Sequence, residues 1–296
     1  PLPTKVVTFT VNSGSTSQTC NAVTDVNGDV SCTIPSLAQT QSNVTITSSF
    51  TGDNYDTPST VSTPAIVTEP TVLTVNAGMS DYSDATTVSG VLSDANTGAL
   101  IANEPVTFTL NGAETCTGTT DASGIASCPV TPGEPAATYT LAGSFSGDAT
   151  LPLQLTSSTG SANFVVTLEE TELTYTGGTV AQNGQPLTVS GVLTSDAGAT
   201  PLGGQPVTFT LGSGSRAQTC TGTTTSTGSV SCSIAVANQP QGPIPVTDTF
   251  AQNAYYQQAS HSATVNLPEG TTLTVSPGSG TYNGSTTLTG TLVNTY

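Results

Sequence analysis

Apolar and polar residues alternate along most of this chain. In "PVTFTL", Val106, Phe108 and Leu110 point one way while Thr107 and Thr109 point the other. A period of two marks a strand with one buried face. The pattern returns in "VVTFTV" (Val6 to Val11) and in "PVTFTL" at Pro206 to Leu211. It returns again in "TVSGVL" at Thr87 to Leu92 and Thr188 to Leu193, and in "TLTGTL" at Thr287 to Leu292. No segment sustains a helical period. The predicted elements are short strands, about seven per hundred residues with turn clusters between them, which is the signature of an antiparallel β-sandwich.

The strands come in a fixed order that repeats. "TVLTVNAG" starts at Thr71, "TELTYTGG" at Thr171 and "TTLTVSPG" at Thr271, an interval of 100 residues each time. Each period carries an opening strand, the "TVSGVL" strand, the "PVTFTL" strand, a cysteine pair and a strand ending in Phe50, Phe145 or Phe250. About 100 residues suffice to close one small sandwich core. The predicted units are therefore 1–70, 71–170, 171–270 and 271–296. The linker Val166 to Thr174 has no Gly/Ser-rich hinge, so an extended arrangement of successive domains is expected.

Between the "PVTFTL" strand and the Phe-ending strand lie two cysteines twelve positions apart, in each of three copies. "TCTGTTDASGIASC" runs from Thr115 to Cys128, "TCNAVTDVNGDVSC" from Thr19 to Cys32 and "TCTGTTTSTGSVSC" from Thr219 to Cys232. Turn residues sit midway, with Gly124, Gly28 and Gly228 at the position that takes the left-handed conformation. Folding there brings Cys20 to Cys32, Cys116 to Cys128 and Cys220 to Cys232. A disulfide needs Cα atoms within about 7 Å, which facing positions of two antiparallel strands supply. A metal site would require further ligands, and the one histidine, His261, is remote in sequence. Each bridge is expected to contribute roughly 3 kcal/mol in the chain-entropy model. Persistent disulfides place the protein in an oxidising compartment, secreted or on a cell surface.

These phrases resemble the bacterial immunoglobulin-like (Big-type) tandem repeat domains of surface and filament proteins. The resemblance rests on the "TDxxGxA" hairpin, matched at Thr24 to Gly28 and Thr120 to Ala126, and on the late "TGDNY" and "SGD" phrases at Thr51 to Tyr55 and Ser146 to Asp148. The third copy departs, with Thr225 and Ser226 in the hairpin and "AQNAYY" after Phe250. The resemblance covers nearly the whole chain and implies an all-β fold of tandem immunoglobulin-like sandwiches. Such domains serve as stalks, spacers, adhesins and filament subunits, so it decides fold more than function. Lys–Asn isopeptide bonds, which reinforce sandwiches of this kind, would need a lysine in each domain, and Lys5 stands alone.

Composition narrows the partners. The chain holds Lys5 and Arg216 against 19 acidic residues, a net charge of −17. Nucleic acid and anionic lipid are repelled by such a surface. No apolar run reaches the length of a membrane span. One histidine and two basic residues offer no repeated catalytic centre, so an enzyme is not expected and no cofactor is implied. His261 is expected to be an exposed strand-edge residue. Asp53 and Asp56, with Asn54, form a weak calcium candidate, as do Asp25, Asn27 and Asp29. The bland alternative is that they are turn residues. Asn43 in "NVT" and Asn283 in "NGS" are candidate glycosylation sites. Asp248 falls on the buried face of its strand, where the other copies have Ser48 and Gly143; a strand end or a hydrogen-bonded carboxylate would explain it.

The two ends complement each other. Residues 1–70 lack the opening strands that later copies place before "PVTFTL", and 271–296 consist of those strands. The first sandwich is expected to expose core residues Val7, Phe9 and Val11, and unpaired edges recruit strands. Leu273, Val275, Leu288 and Leu292 are expected to complete the sandwich of a neighbouring copy, head to tail. Two routes give this arrangement: strand exchange between separate subunits, which is preferred, or a longer covalent chain running on past Tyr296. The leading functional reading is a structural filament or stalk subunit. The rival is an adhesin module whose loops, with Tyr255 and Tyr256 the best candidates, recognise a carbohydrate or receptor.

Overall fold

The computed structural model describes residues 1–294; Thr295 and Tyr296, the end of the expected fourth segment, lie outside the described residues. The protein is all-β. It forms two compact units, one of Pro1–Ser80, Asp84–Gly133 and Thr138–Val165, the other of Asp81–Ser83, Glu134–Ala137 and the chain from Val166 onward.

The second repeat is a complete sandwich. One sheet runs in the order Glu114–Thr119, Pro105–Leu110, Ala137–Phe145, Ser158–Thr167 and Gly78–Asp81. The other runs Ile125–Val130, Thr86–Asp94 and Thr71–Val75. Val106, Phe108 and Leu110 are buried, as the alternation requires, together with Leu73, Val88, Leu92 and Phe145. The sheets approach closely at Gly90, where an added Cβ would stand 3.2 Å from the Phe108 ring. A bare backbone there is what lets Phe108 fill the centre of a core that holds no tryptophan.

The third repeat repeats the plan. Gln218–Thr223, Pro206–Leu211, Gly242–Phe250 and Ala259–Leu267 form one sheet. In the other, Leu187–Ser195 pairs with Thr171–Tyr175, Ser229–Ile234 and the short Thr200–Pro201. Leu173, Val189, Leu193, Val207, Phe209 and Phe250 make one buried cluster.

All three expected disulfides form, with Cα–Cα distances of 6.1 Å (Cys20–Cys32), 5.9 Å (Cys116–Cys128) and 5.9 Å (Cys220–Cys232). Their setting is not a flat ladder. Cys116 pairs across to Phe108 in one sheet, and Cys128 pairs across to Val88 in the other. The turn between them is an arch from sheet to sheet, and the disulfide ties the two sheets together. The turn chemistry is as expected, with Gly28, Gly124 and Gly228 at φ 80°, 67° and 73°. Asp121 Oδ1 accepts the N–H groups of Ser123 and Ile125. In the third copy Thr225 takes the same place, its carbonyl accepting the Gly228 N–H at 2.9 Å, so the divergent sequence keeps the same turn.

The first repeat is half of this plan. One sheet is present, in the order Thr16–Val23, Val6–Ser13, Asn43–Phe50 and Ser59–Ile66. The residues equivalent to Ile125–Val130, which run from Asp29 to Ile34, belong to no ladder. Farther along the chain, Thr271–Val275 and Gly290–Asn294 form a two-stranded antiparallel hairpin.

Candidate functional site

The open sheet of the first repeat carries an apolar groove of about 490 Å³, lined by Phe9, Val11, Val30, Ile34, Leu37 and Ile46 among others. Phe9 is the counterpart of Phe108 and Phe209, which are 1% and 0% exposed, yet Phe9 is only half-buried. Phe50 is half-buried as well, whereas Phe145 and Phe250 are buried. Val7 is half-buried, but Val11 is buried rather than exposed, a correction to the sequence expectation. Its neighbour across the ladder, Gln18, explains this. The Gln18 side chain donates to the Ser36 carbonyl at 2.7 Å and accepts the Ala38 N–H at 2.7 Å. It thereby pins the segment around Gln39 over that end of the sheet.

The hairpin repeats the register of the opening strands. Leu273 faces Leu292 and Val275 faces Gly290, as Leu73 faces Leu92 and Val75 faces Gly90 in the second repeat. In the second repeat, Leu73, Val75, Val88 and Leu92 are 4%, 8%, 3% and 0% exposed. Their hairpin counterparts Leu273, Val275, Leu288 and Leu292 are 65%, 70%, 74% and 65% exposed. Burying an aliphatic side chain of this size is worth about 1.5–3 kcal/mol. Among the described residues, no third strand pairs with this hairpin.

The charged candidates are engaged locally. Asp53 and Asp56 hold the Lys5 ammonium, which lies 2.6 Å from Asp56 Oδ2 and in close contact with Asp53 Oδ2. That ammonium, helped by the backbone N–H groups of Tyr55 and Asp56, holds the Asp53 carboxyl down at about 2. Asp25 Oδ1 accepts the N–H groups of Asn27 and Asp29, so this cluster closes its own turn. Asn43 and Asn283 are both exposed, Asn43 at the start of its strand and Asn283 in the loop of the hairpin.

His261 lies on the edge strand of its sheet, as expected, but is half-buried rather than exposed: it stands directly opposite Asp248 in the ladder, with Nδ1 3.4 Å from Asp248 Oδ1. Asp248 is fully buried, as its position in the alternation predicts. Alternation placed Asp248 on the buried face, but the register that brings His261 opposite it spans residues 251–258 and is set by the ladder. Tyr255 and Tyr256, the best receptor candidates, are half-buried against Tyr82 within the second unit, at centroid distances of 4.7 and 5.6 Å. Among the described residues, no helix is long and apolar enough to cross a membrane.

No protein-family model and no curated protein matches the chain. Among solved structures, it is similar to a tetra-tandem repeat in the extending region of a large adhesion protein, at 19% identity and a TM-score of 0.49, over 93% of this chain and 70% of that one. It is similar to the Yersinia pseudotuberculosis adhesin InvE at 16% identity and a TM-score of 0.37, over 67% of this chain and 58% of that one. The D0-D1 domain of intimin matches at 20% identity and a TM-score of 0.23, over 66% of this chain and 97% of that one. By strand order and disulfide arches, the chain holds two complete antiparallel β-sandwiches of one plan, a first repeat that keeps one sheet of that plan, and a two-stranded hairpin.

Proposed function

We propose that this chain is a structural subunit of an extracellular filament or cell-surface stalk, joined head to tail by strand complementation. The hairpin Thr271–Asn294 of one copy completes the first sandwich of the next. One observation carries this reading: the exposed side chains of the hairpin occupy positions that are core in the complete repeats, and among the described residues the apolar groove on the first repeat's sheet is the surface that the equivalent strands would cover. The complementary surfaces are different patches of the same chain. A contact of that kind does not close on itself, so it propagates as a fibre. The disulfides support an oxidising, extracellular setting. Partners are copies of the chain, and neither nucleic acid nor direct membrane insertion enters this reading.

The test uses the 296-residue chain over a concentration series, followed by light scattering, native mass spectrometry and electron microscopy. The expected result is linear multimers in steps of 29.5 kDa. The variant Leu273→Asp/Leu288→Asp alters exposed positions that do not face each other in the ladder, so it should keep its fold and disulfides while remaining single. A wild-type chain that stays single throughout the series overturns the reading. So does a variant that multimerises like the wild type.

A further inference from the structure

We infer that the Cys20–Cys32 disulfide is the latch of the assembly site: it holds the acceptor edge, Val30 to Ile34, in the position where an incoming hairpin pairs with it. This inference rests on the head-to-tail reading above and adds which bond controls it.

In the complete repeats this edge is held twice. Ile125–Val130 is laddered to Thr86–Asp94 and bridged by Cys116–Cys128. Ser229–Ile234 is laddered to Leu187–Ser195 and bridged by Cys220–Cys232. Among the described residues, no strand is laddered to the equivalent edge of the first repeat. The chain is anchored at Asp29, whose N–H donates to Asp25 Oδ1 and whose carbonyl accepts the Asp25 N–H. It is anchored again at Ser36 and Ala38 by Gln18. Between these anchors, the tie to the sheet among the described residues is Cys32 to Cys20. Cys20 lies midway along Thr16–Val23, the edge strand of the sheet, where it is laddered to Phe9, and Cys20, Val30, Cys32 and Ile34 all line the groove, so the bridge holds the edge over it.

The complete repeats also set the register. Cys128 faces Val88, with Ser127 on Ser89 and Pro129 on Thr87. Cys232 faces Val189, with Ser231 on Ser190 and Ser233 on Thr188. Carried to the first repeat, Cys32 faces Leu288 of the incoming hairpin, Ser31 faces Thr289 and Thr33 faces Thr287. Val30 then faces Gly290, which leaves room for Phe9 as Gly90 does for Phe108. An edge fixed in advance binds more tightly than one that must be ordered during association. The same bond therefore has two roles. In the second and third sandwiches it supports a finished core; in the first it sets the competence to assemble.

In the 296-residue chain, Cys20→Ser/Cys32→Ser is compared with Cys116→Ser/Cys128→Ser and with Cys20→Val/Cys32→Val, which keeps the apolar contact without the covalent tie. Sedimentation velocity reads assembly, and hydrogen exchange reads the ladder Thr8–Asn12 with Thr45–Ser49. The expected result is assembly weakened roughly a hundredfold in both Cys20/Cys32 variants, with that ladder intact. The Cys116/Cys128 variant should stay within about a few-fold of wild type. Equal weakening in the Cys116/Cys128 variant, or wild-type assembly in either Cys20/Cys32 variant, overturns the latch. Loss of the ladder in both Cys20/Cys32 variants also overturns it, because the bond would then hold the sheet rather than its edge. Failure of the underlying reading looks different: Leu273→Asp/Leu288→Asp would assemble normally, and the Val30–Ile34 amides of wild type would gain no protection on assembly.

Discussion

Asp248 and His261 face each other across the ladder of Gly242–Phe250 and Ala259–Leu267, with Oδ1 and Nδ1 3.4 Å apart. Among the described residues, the other carboxyl oxygen of Asp248 has no partner, and the side chain is fully buried. Burial pushes the carboxyl above its ordinary value, opposed by its hydrogen bonds and by His261. Tyr175, on the opposite sheet, is pushed up by its own burial and by the Asp248 charge.

The raised carboxyl makes the third sandwich sensitive to pH. The folded state binds the proton more tightly than the unfolded state, so stability is highest below the unfolded value near 3.8 and declines as pH rises through the higher folded value. Replacing Asp248 by Asn should flatten this slope and leave the sandwich equal to or about 1 kcal/mol above wild type at neutral pH. His261→Ala should cost about 1–3 kcal/mol there, by leaving a buried carboxylate without its partner. Thermal unfolding from about pH 3 to about pH 8, which brackets the carboxylate range, checks all three chains. A slope retained in the Asn variant would assign it to another group.

Equivalent phenylalanines should differ in what they stabilise. Phe108→Ala and Phe209→Ala remove fully buried rings and should each cost about 3–5 kcal/mol in their own sandwich. Phe9→Ala removes a half-buried ring and should cost less than about half of that in the single chain. The cost at Phe9 should rise when the chain is assembled. Hydrogen exchange resolved by segment separates the three repeats.

The Lys5 contacts should be visible in a titration. Asp53 is depressed to about 2 mainly by the Lys5 ammonium, so what it contributes is present above the ordinary value near 3.8 and is lost as pH falls through the folded value. Lys5→Met should move the Asp53 carboxyl back towards its ordinary range, followed by carboxyl NMR shifts. Both groups meet solvent, so the effect should shrink in high salt. An Asp53 titration unmoved by Lys5→Met would mean that the turn N–H groups set it alone.

The disulfide arches should be closed within each repeat. Non-reducing peptide mapping is expected to join Cys116 to Cys128 and Cys220 to Cys232. Cys116→Ser/Cys128→Ser should lower the stability of the second sandwich by about 2–4 kcal/mol. A peptide linking cysteines from different repeats would contradict the fold described here.

Alternation of apolar and polar residues was enough to place the strands, because the pleat turns a period of two directly into a buried face. Turn chemistry at Asp121 and Gly124 was enough to pair the cysteines, because it acts over four or five residues. The same counting placed Asp248 in the core. Tertiary structure decided everything that depends on which strand lies beside which. The cysteine arms separate into two sheets because the strands they belong to find better ladder partners in Pro105–Leu110 and Thr86–Asp94 than in each other. His261 became the partner of Asp248 through a register set across nine ladder pairs. Val11 is covered because Gln18 captures a loop some twenty positions along the chain, a contact that no local pattern records. Lys5 finds Asp53 across 48 residues for the same reason: only packing brings distant groups of opposite charge to one end of a sheet.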